Sequence, residues 1–286
     1  MSGLVRSLVA AALMSATVSV IQAGMPAEAP PPAASAAAGG VFTLNEELTY
    51  EVTYMSIPLG SIRILTTHQD GEGDRAMFTT KADVRSYSGV PFVRIREIDE
   101  STMNRAAIPA AFQAREQMDE KWKVVNYTFD QQAHRLIARE SFADSEHGTT
   151  MEPGKIDTFT IRKNCVDGLS LLYFARVNAL SSRGRAEVPT FLKGKEGTTI
   201  INFERKVTEE EIDAVDYPVD VVEIGGEAQV SGILGMSGEY TGWFSNDTAG
   251  VPIKGKVKIF LGSITIELKK WKRPDGWMPP HAPSGR

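Results

Sequence analysis

Apolar and polar residues alternate from Glu47 onward. Leu48, Tyr50, Val52 and Tyr54 are separated by Thr49, Glu51 and Thr53. A period of two marks a strand with one buried and one wet face. After Pro58-Leu59-Gly60, Ile62 and Ile64 alternate with Ser61 and Arg63, so the two runs read as a hairpin with a longer loop. Gln69 to Asp74 supplies the next turn. Phe78, Thr80, Ala82 and Val84 line the strand after it, and Val93 and Ile95 alternate with Arg94 and Arg96. The apolar phase changes from Trp122 and Val124 to Val125, Tyr127 and Phe129, which predicts a bulge. Leu136, Phe159 with Ile161, Ile201 with Phe203, and Val219 with Val221 mark further strands. The last two, Val257-Ile259-Leu261 and Ile264-Ile266-Leu268, change phase at Gly262-Ser263, where a bulge or tight bend is expected. About a dozen strands at this spacing predict an antiparallel meander.

One stretch departs from the pattern. From Gly168 to Val177 the apolar residues recur at helical spacing, and Asp167 is a suitable N-cap, so a helix is expected over about residues 168–179. The fold class that follows is mainly β: a curved antiparallel sheet or partly open β-barrel with one apolar helix to plug or flank it. The alternative is two half-sheets joined near the helix. No repeat of 20–50 residues is visible, against a propeller or solenoid.

The chain before the first strand has a different character. Arg6 gives a basic start, Leu8 to Ile21 carries no charge, and Ile21-Gln22-Ala23 offers a cleavage site after Ala23. Residues 1–23 read as a signal peptide, with an uncleaved anchor as the alternative. No cysteine follows the apolar run, so a lipoprotein anchor is not expected, and no other segment reaches the ~20 apolar residues of a membrane span. Residues 24–41 are rich in Ala, Pro and Gly and read as a disordered tether. The folded part is expected over residues 42–271, with 272–286 as a C-terminal tail. Periplasmic localisation follows.

Charge and cysteine content narrow the chemistry. Thirty-one basic against 36 acidic residues give a net charge of −5. Removal of residues 1–23 takes away only Arg6 and moves it to −6. This sign argues against a general nucleic-acid partner. The single cysteine, Cys165, cannot form an internal disulfide; it reads as a small buried hydrophobe, with a reactive thiol beside Arg162 and Lys163 as the alternative. His68, His134, His147 and His281 have no metal-ligand spacing, and Asp70, Glu72 and Asp74 read as a turn rather than a calcium loop. Neither a metal nor another cofactor is expected. Gly235-Met236-Ser237-Gly238 fails the nucleophile-elbow pattern because Glu239 stands at the last glycine position. The glycines at 225, 226, 232, 235, 238 and 242 read as bulges or a mobile loop. Glu97 with Asp99, and Glu209 with Glu211, read as neighbours by chance, and Thr208 to Glu211 as a solvated loop. The basic run Lys269-Lys270-Trp271-Lys272-Arg273, with Trp277 beyond, reads as a strand end with a frayed tail or as a membrane-surface patch.

Three segments together resemble a known family. Phe42 to Val52, followed by Leu59-Gly60, is similar to an opening in which a Gly-Glu pair leads into an L-x-Y-x-V strand, with Glu46 in the place of the usual glycine. Asp167-Gly168-Leu169-Ser170 with Tyr173 and Arg176 resembles a central helix. Trp243 to Asp247, Val251-Pro252-Ile253 and Leu261 to Ile264 resemble a closing hairpin. The family is that of the domain of unknown function 3108, exported bacterial proteins, over about residues 42–270. The resemblance implies an exported β-rich domain and no catalytic residues. In outline such domains are similar to carriers of the lipoprotein-sorting type, which hold acyl chains in an apolar concavity; this is an analogy of fold.

The leading expectation is therefore a non-catalytic binding or carrier protein for an apolar or lipid-like ligand. Tyr50, Tyr54, Trp122, Leu172, Tyr173 and Trp243 are the residues expected to line the interior, unless they are simply core. The alternatives are an envelope assembly protein that binds an envelope partner through a sheet edge or the Lys269–Trp277 tail, and a cell-wall or glycan hydrolase, which requires a polar cleft with clustered acids or histidines.

Overall fold

The computed structural model describes residues 40–90, 94–149, 151–228, 238–259 and 261–283. The expected signal peptide, nearly all of the expected tether, Val93 and the Gly235–Ser237 motif lie outside the described residues.

The strands are β1 (Glu47–Tyr54), β2 (Ile57–Asp70), β3 (Met77–Ser86), β4 (Arg96–Asn104), β5 (Pro109–Met118), β6 (Lys121–Asp130), β7 (Arg135–Ala143), β8 (Met151–Thr160), β9 (Gly184–Leu192), β10 (Lys195–Glu210), β11 (Val219–Ala228), β12 (Gly238–Ser245), β13 (Pro252–Lys258) and β14 (Ser263–Lys272). The helix α1 (Gly168–Asn178) sits between β8 and β9. All fourteen strands form one antiparallel sheet in the order β8-β7-β6-β5-β4-β3-β2-β1-β14-β13-β12-β11-β10-β9. Every neighbour is a chain neighbour except at β1 and β14, which pair from Glu47 with Lys272 to Tyr54 with Ile264. The sheet is not closed, because β8 and β9 do not pair. The connection between them spans the seam: Val166 N–H donates to Pro189 O at 2.9 Å and Phe191 N–H to Val166 O at 2.8 Å, while Gln131 Nε2 donates to Cys165 O at 2.8 Å.

Helix α1 is buried nearly all round, with nine of its eleven residues in the interior, among them the polar Ser170, Arg176 and Asn178. Asp167 caps it, accepting from Leu169 N–H at 2.9 Å and Ser170 N–H at 2.8 Å. Leu169, Tyr173, Phe174 and Val177 form the main core with residues of β1–β3 and β10–β14. A second cluster joins Phe112, Tyr127, Phe129, Leu136 and Phe191. No helix among the described residues is long and apolar enough to cross a membrane.

Several local expectations are corrected. The first hairpin has a two-residue turn, Met55-Ser56, with φ of 47° and 65°, and Pro58-Leu59-Gly60 lies inside β2. Left-handed geometry at both turn positions usually selects Asn or Gly, so the turn carried no signal. Gly60 instead serves close approach, since a Cβ there would collide with the carbonyl oxygen of Arg85. Strand β6 pairs with β5 without a bulge; its two apolar phases are two covered faces. Gly225, Gly226, Gly238 and Gly242 lie in β11 and β12 rather than in a loop, and Thr208 to Glu210 end β10. The phase change at Gly262-Ser263 is a tight bend, with Ile259 N–H donating to Gly262 O at 3.2 Å. The left-handed backbone near the start of β1 falls on Asn45, φ 62°, the residue before Glu46.

Candidate functional site

A cavity of about 350 Å³ lies between the inner face of β4–β8 and the β9–β10 turn. The pleat builds it. On β4, residues 97, 99 and 101 share one face, and cross-strand register sets Glu97 opposite Glu116, Asp99 opposite Ala114 and Ser101 opposite Phe112. On β6, Lys123, Val125 and Tyr127 continue that face, followed by Glu140 and Ala138 on β7 and Lys155, Asp157 and Phe159 on β8. One end of the cavity is thus aromatic, with Phe112, Tyr127, Phe159 and Phe191, and the other is charged. Tyr127 packs edge-on to Phe191 at 5.4 Å between ring centroids, as does Phe159 at 5.0 Å.

The charged end is unevenly matched. Lys123 pairs with Glu140 at 2.6 Å and Lys155 with Asp157 at 2.8 Å. Glu97, Asp99 and Glu116 then share Lys193, and none of the three carboxyl groups has an ion pair or a side-chain hydrogen bond among the described residues. Asp99 Oδ1 is buried without a hydrogen-bond partner. Burial, the neighbouring Glu97, Asp167 and Glu116 charges and the opposing pull of Lys193 leave the Asp99 carboxyl well above the usual range. Glu97 is raised for the same first reason, burial. Asp167 lies next in this row; burial raises it too, but Ser101 Oγ and Ser170 Oγ donate to its Oδ2 at 2.7 and 2.6 Å. Among the described residues no three of His, Cys, Asp and Glu converge as metal ligands.

None of the six residues expected to line the interior borders this cavity. Tyr50 and Tyr173 are core residues; Tyr173 Oη lies 3.1 Å from Thr66 Oγ1 and its ring stacks on Phe42. Tyr54 Oη donates to Leu261 O at 2.8 Å near the β13–β14 bend. Leu172 is half-buried beside the main core. Trp243 Nε1 donates to Glu223 Oε2 at 3.1 Å. Trp122 lies on the opposite face of the sheet with Ile98, Val124 and Ala143, under the Arg96 guanidinium at 5.6 Å. The residues that do form the cavity include the Glu97–Asp99 pair that reads as coincidence in the sequence. The available signal is that Glu97 and Asp99 alternate in phase with Ser101 and Met103, which are buried.

The motif residues assemble elsewhere, in a clasp. Glu46, Arg176 and Arg273 are all buried. Arg176 Nη1 and Nη2 donate to the two Glu46 oxygens at 2.8 and 2.9 Å, and Arg273 Nη1 donates to Glu46 Oε1. Arg176 also donates to Gly250 O and Ala249 O, and Arg273 to Gly40 O and Asp275. Asp247 accepts from Ser245 Oγ at 2.8 Å and from Trp277 Nε1 at 2.7 Å. The C-terminal segment is docked rather than frayed: Asp220 N–H donates to Pro280 O, Ala282 N–H to Pro218 O, and His281 stacks on Tyr217 at 3.5 Å.

The family model described as "Protein of unknown function (DUF3108)" matches residues 49–269. This chain belongs to the DUF3108 family. The match runs from within β1 to within β14, and so takes in the cavity and, of the clasp's three buried charges, Arg176, with Glu46 and Arg273 just outside it. No curated protein matches the DUF3108 chain in sequence. Among solved structures it is similar to a β-barrel-like protein of the domain of unknown function DUF1849 from Brucella abortus, at 10% identity and a TM-score of 0.49, over 82% of this chain and 99% of that one. A "putative lipoprotein" from Parabacteroides distasonis matches at 6% identity and a TM-score of 0.33, over 81% and 96%. A "putative exported protein" with a YmcC-like fold from Bacteroides fragilis matches at 8% identity and a TM-score of 0.32, over 82% and 100%.

Proposed function

We propose that the protein is an exported, periplasmic binding or carrier protein that holds an amphipathic small molecule in the cavity under β4–β8. The observation that carries this reading is the division of one cavity into an aromatic end and a charged end. Ligand sites commonly combine an apolar wall with a few converging polar groups, and 300–1,000 Å³ is roughly their usual size. The charged N-terminal pattern around Arg6 and the uncharged run to Ile21 support export. The proposed ligand is less purely apolar than the sequence implies, because eight acidic and basic side chains border the space.

The test is native mass spectrometry of protein purified from the periplasm, followed by extraction. Extra mass that leaves on denaturation, and is lost in a Phe159→Asp or Ala114→Trp variant that still folds, is the expected result. A bare mass together with no binding of any amphiphile to refolded protein would refute the reading.

The acid cluster also favours a second reading, a hydrolase acting on glycan material. Glu97 and Asp99 with raised pKa beside Glu116 are groups that can serve as general acid and base. Release of soluble fragments from peptidoglycan, abolished by Asp99→Asn, is the outcome that would select it.

A further inference from the structure

We infer that the charged end of the cavity is a receptor for an organic cation, an ammonium group carried on an apolar body. This deepens the carrier reading and rests on it. Five carboxyl groups and three ammonium groups border the cavity. Two ion pairs satisfy Glu140 and Asp157, and the remaining Glu97, Asp99 and Glu116 face Lys193 alone. Like charges directly opposite on neighbouring strands are unfavourable, and Glu97 stands directly opposite Glu116. Asp99 adds a sealed, unpartnered oxygen to the same wall. A fold does not gain from such a group; a bound donor would satisfy it.

The chemistry of the guest follows from what surrounds these acids. An ammonium supplies N–H donors that an unpaired carboxylate accepts. The carboxyl groups do not converge as metal ligands, which favours a cation with a bulky apolar remainder over a bare ion. Phe112, Tyr127 and Phe159 provide ring surface for that remainder and, for an alkylated nitrogen, cation–π attraction. An anionic amphiphile would meet the acid row with only Lys193 to neutralise it.

Proton uptake and release accompany this binding. The groups facing Asp99 are Glu97 on β4, Glu116 on β5, Lys123 on β6, Glu140 on β7, Lys155 and Asp157 on β8, Asp167 at the start of α1 and Lys193 in the β9–β10 turn. Of these, burial raises Glu97 and Asp99 in the empty site. A cation favours the ionised carboxylates, so its binding expels protons and weakens as the pH falls.

The experiment is calorimetric titration of the full chain with three probes of equal chain length: n-octylammonium, octanoate and octanol. The expected result is binding of n-octylammonium at least about tenfold tighter than octanol, octanoate weakest, and proton release seen as buffer-dependent heat. Asp99→Asn and Glu97→Gln should each erase that preference, so that n-octylammonium binds the variant no tighter than octanol binds the same variant. Glu116→Gln serves as the second variant if either fails to fold. Equal binding of all three probes would overturn the cationic assignment and leave the carrier reading standing. Binding of none would overturn the carrier reading itself.

Discussion

Arg176 and Glu46 lie 130 residues apart in the chain and meet through two hydrogen bonds, at 2.8 and 2.9 Å, with both side chains about 1% exposed. The pair joins the helix to the residue just before β1. Arg273, at the end of β14, completes a triad around the same carboxylate. Removing one member of a buried ion pair leaves the other uncompensated, at a cost of about 3–5 kcal/mol. Glu46→Gln should therefore destabilise the protein by about that amount, measured by urea unfolding, because it strands two guanidinium groups. Arg176→Met should cost less, since Arg273 still holds Glu46. Equal and small effects would show that the triad contributes little.

The C-terminal segment is part of the same clasp. Truncation after Lys272 removes Arg273, Asp275, the Trp277 bond to Asp247 and the backbone bonds of Pro280 and Ala282. The expected outcome is a melting temperature lower by several degrees, consistent with a loss of about 2 kcal/mol or more. An unchanged melting temperature would restore the view of a separable tail.

Asp99→Asn should make the empty protein more stable at neutral pH. A carboxyl raised in the folded state holds its proton there after the unfolded chain has released its own. Stability contributed by this group therefore falls as pH rises from the ordinary carboxylate range through the raised value of Asp99. Relief of crowding among Glu97, Asp99 and Glu116 is worth about 1 kcal/mol. Thermal melts of the two proteins should converge below about pH 3, where Asp99 is protonated in both states, and separate above it. Parallel melts at every pH would contradict the crowding.

Cys165 should resist thiol reagents in the native protein and react fully in denaturant. Its side chain is inaccessible, and burial pushes the thiol up to about 12. Rapid native labelling would mean that the seam segment opens readily.

Gly226→Ala should disrupt the β10–β11 ladder, because a Cβ there collides with Ile200 O and the Tyr240 ring. A loss of about 2–3 kcal/mol is expected in chemical unfolding, whereas Gly255→Ala, with open space around it, should change stability little.

Most strands were legible because one face of each is buried, which imposes a period of two. The helix was legible through its Asp167 cap and its apolar run. Legibility ended where the determining contact was non-local or where both faces were covered. Trp122 and Val124 face away from Val125 and Tyr127, and only the Arg96 cover explains why both sets are apolar. The cavity acids are spread over β4 and β5 and look unremarkable singly. Their meaning lies in the register that sets Glu97 against Glu116 and in the surplus over Lys193. Glu46 and Arg176 were visible as motif residues, but their spacing could not say that they converge with Arg273.

The meeting of β1 with β14 in the middle of the sheet fixes an order of assembly. Strands β1–β8 and β9–β14 can each grow by zipping one neighbour onto the next, at short sequence separation. The union of the two arms cannot, because Tyr50 must find Leu268. Long-range pairing pays its loop-closure entropy before any contact rewards it, so this step comes late and slowly. Until the last strand has emerged, the first has a vacant edge, and the architecture makes the final ten residues of the sheet the latch for everything folded before them.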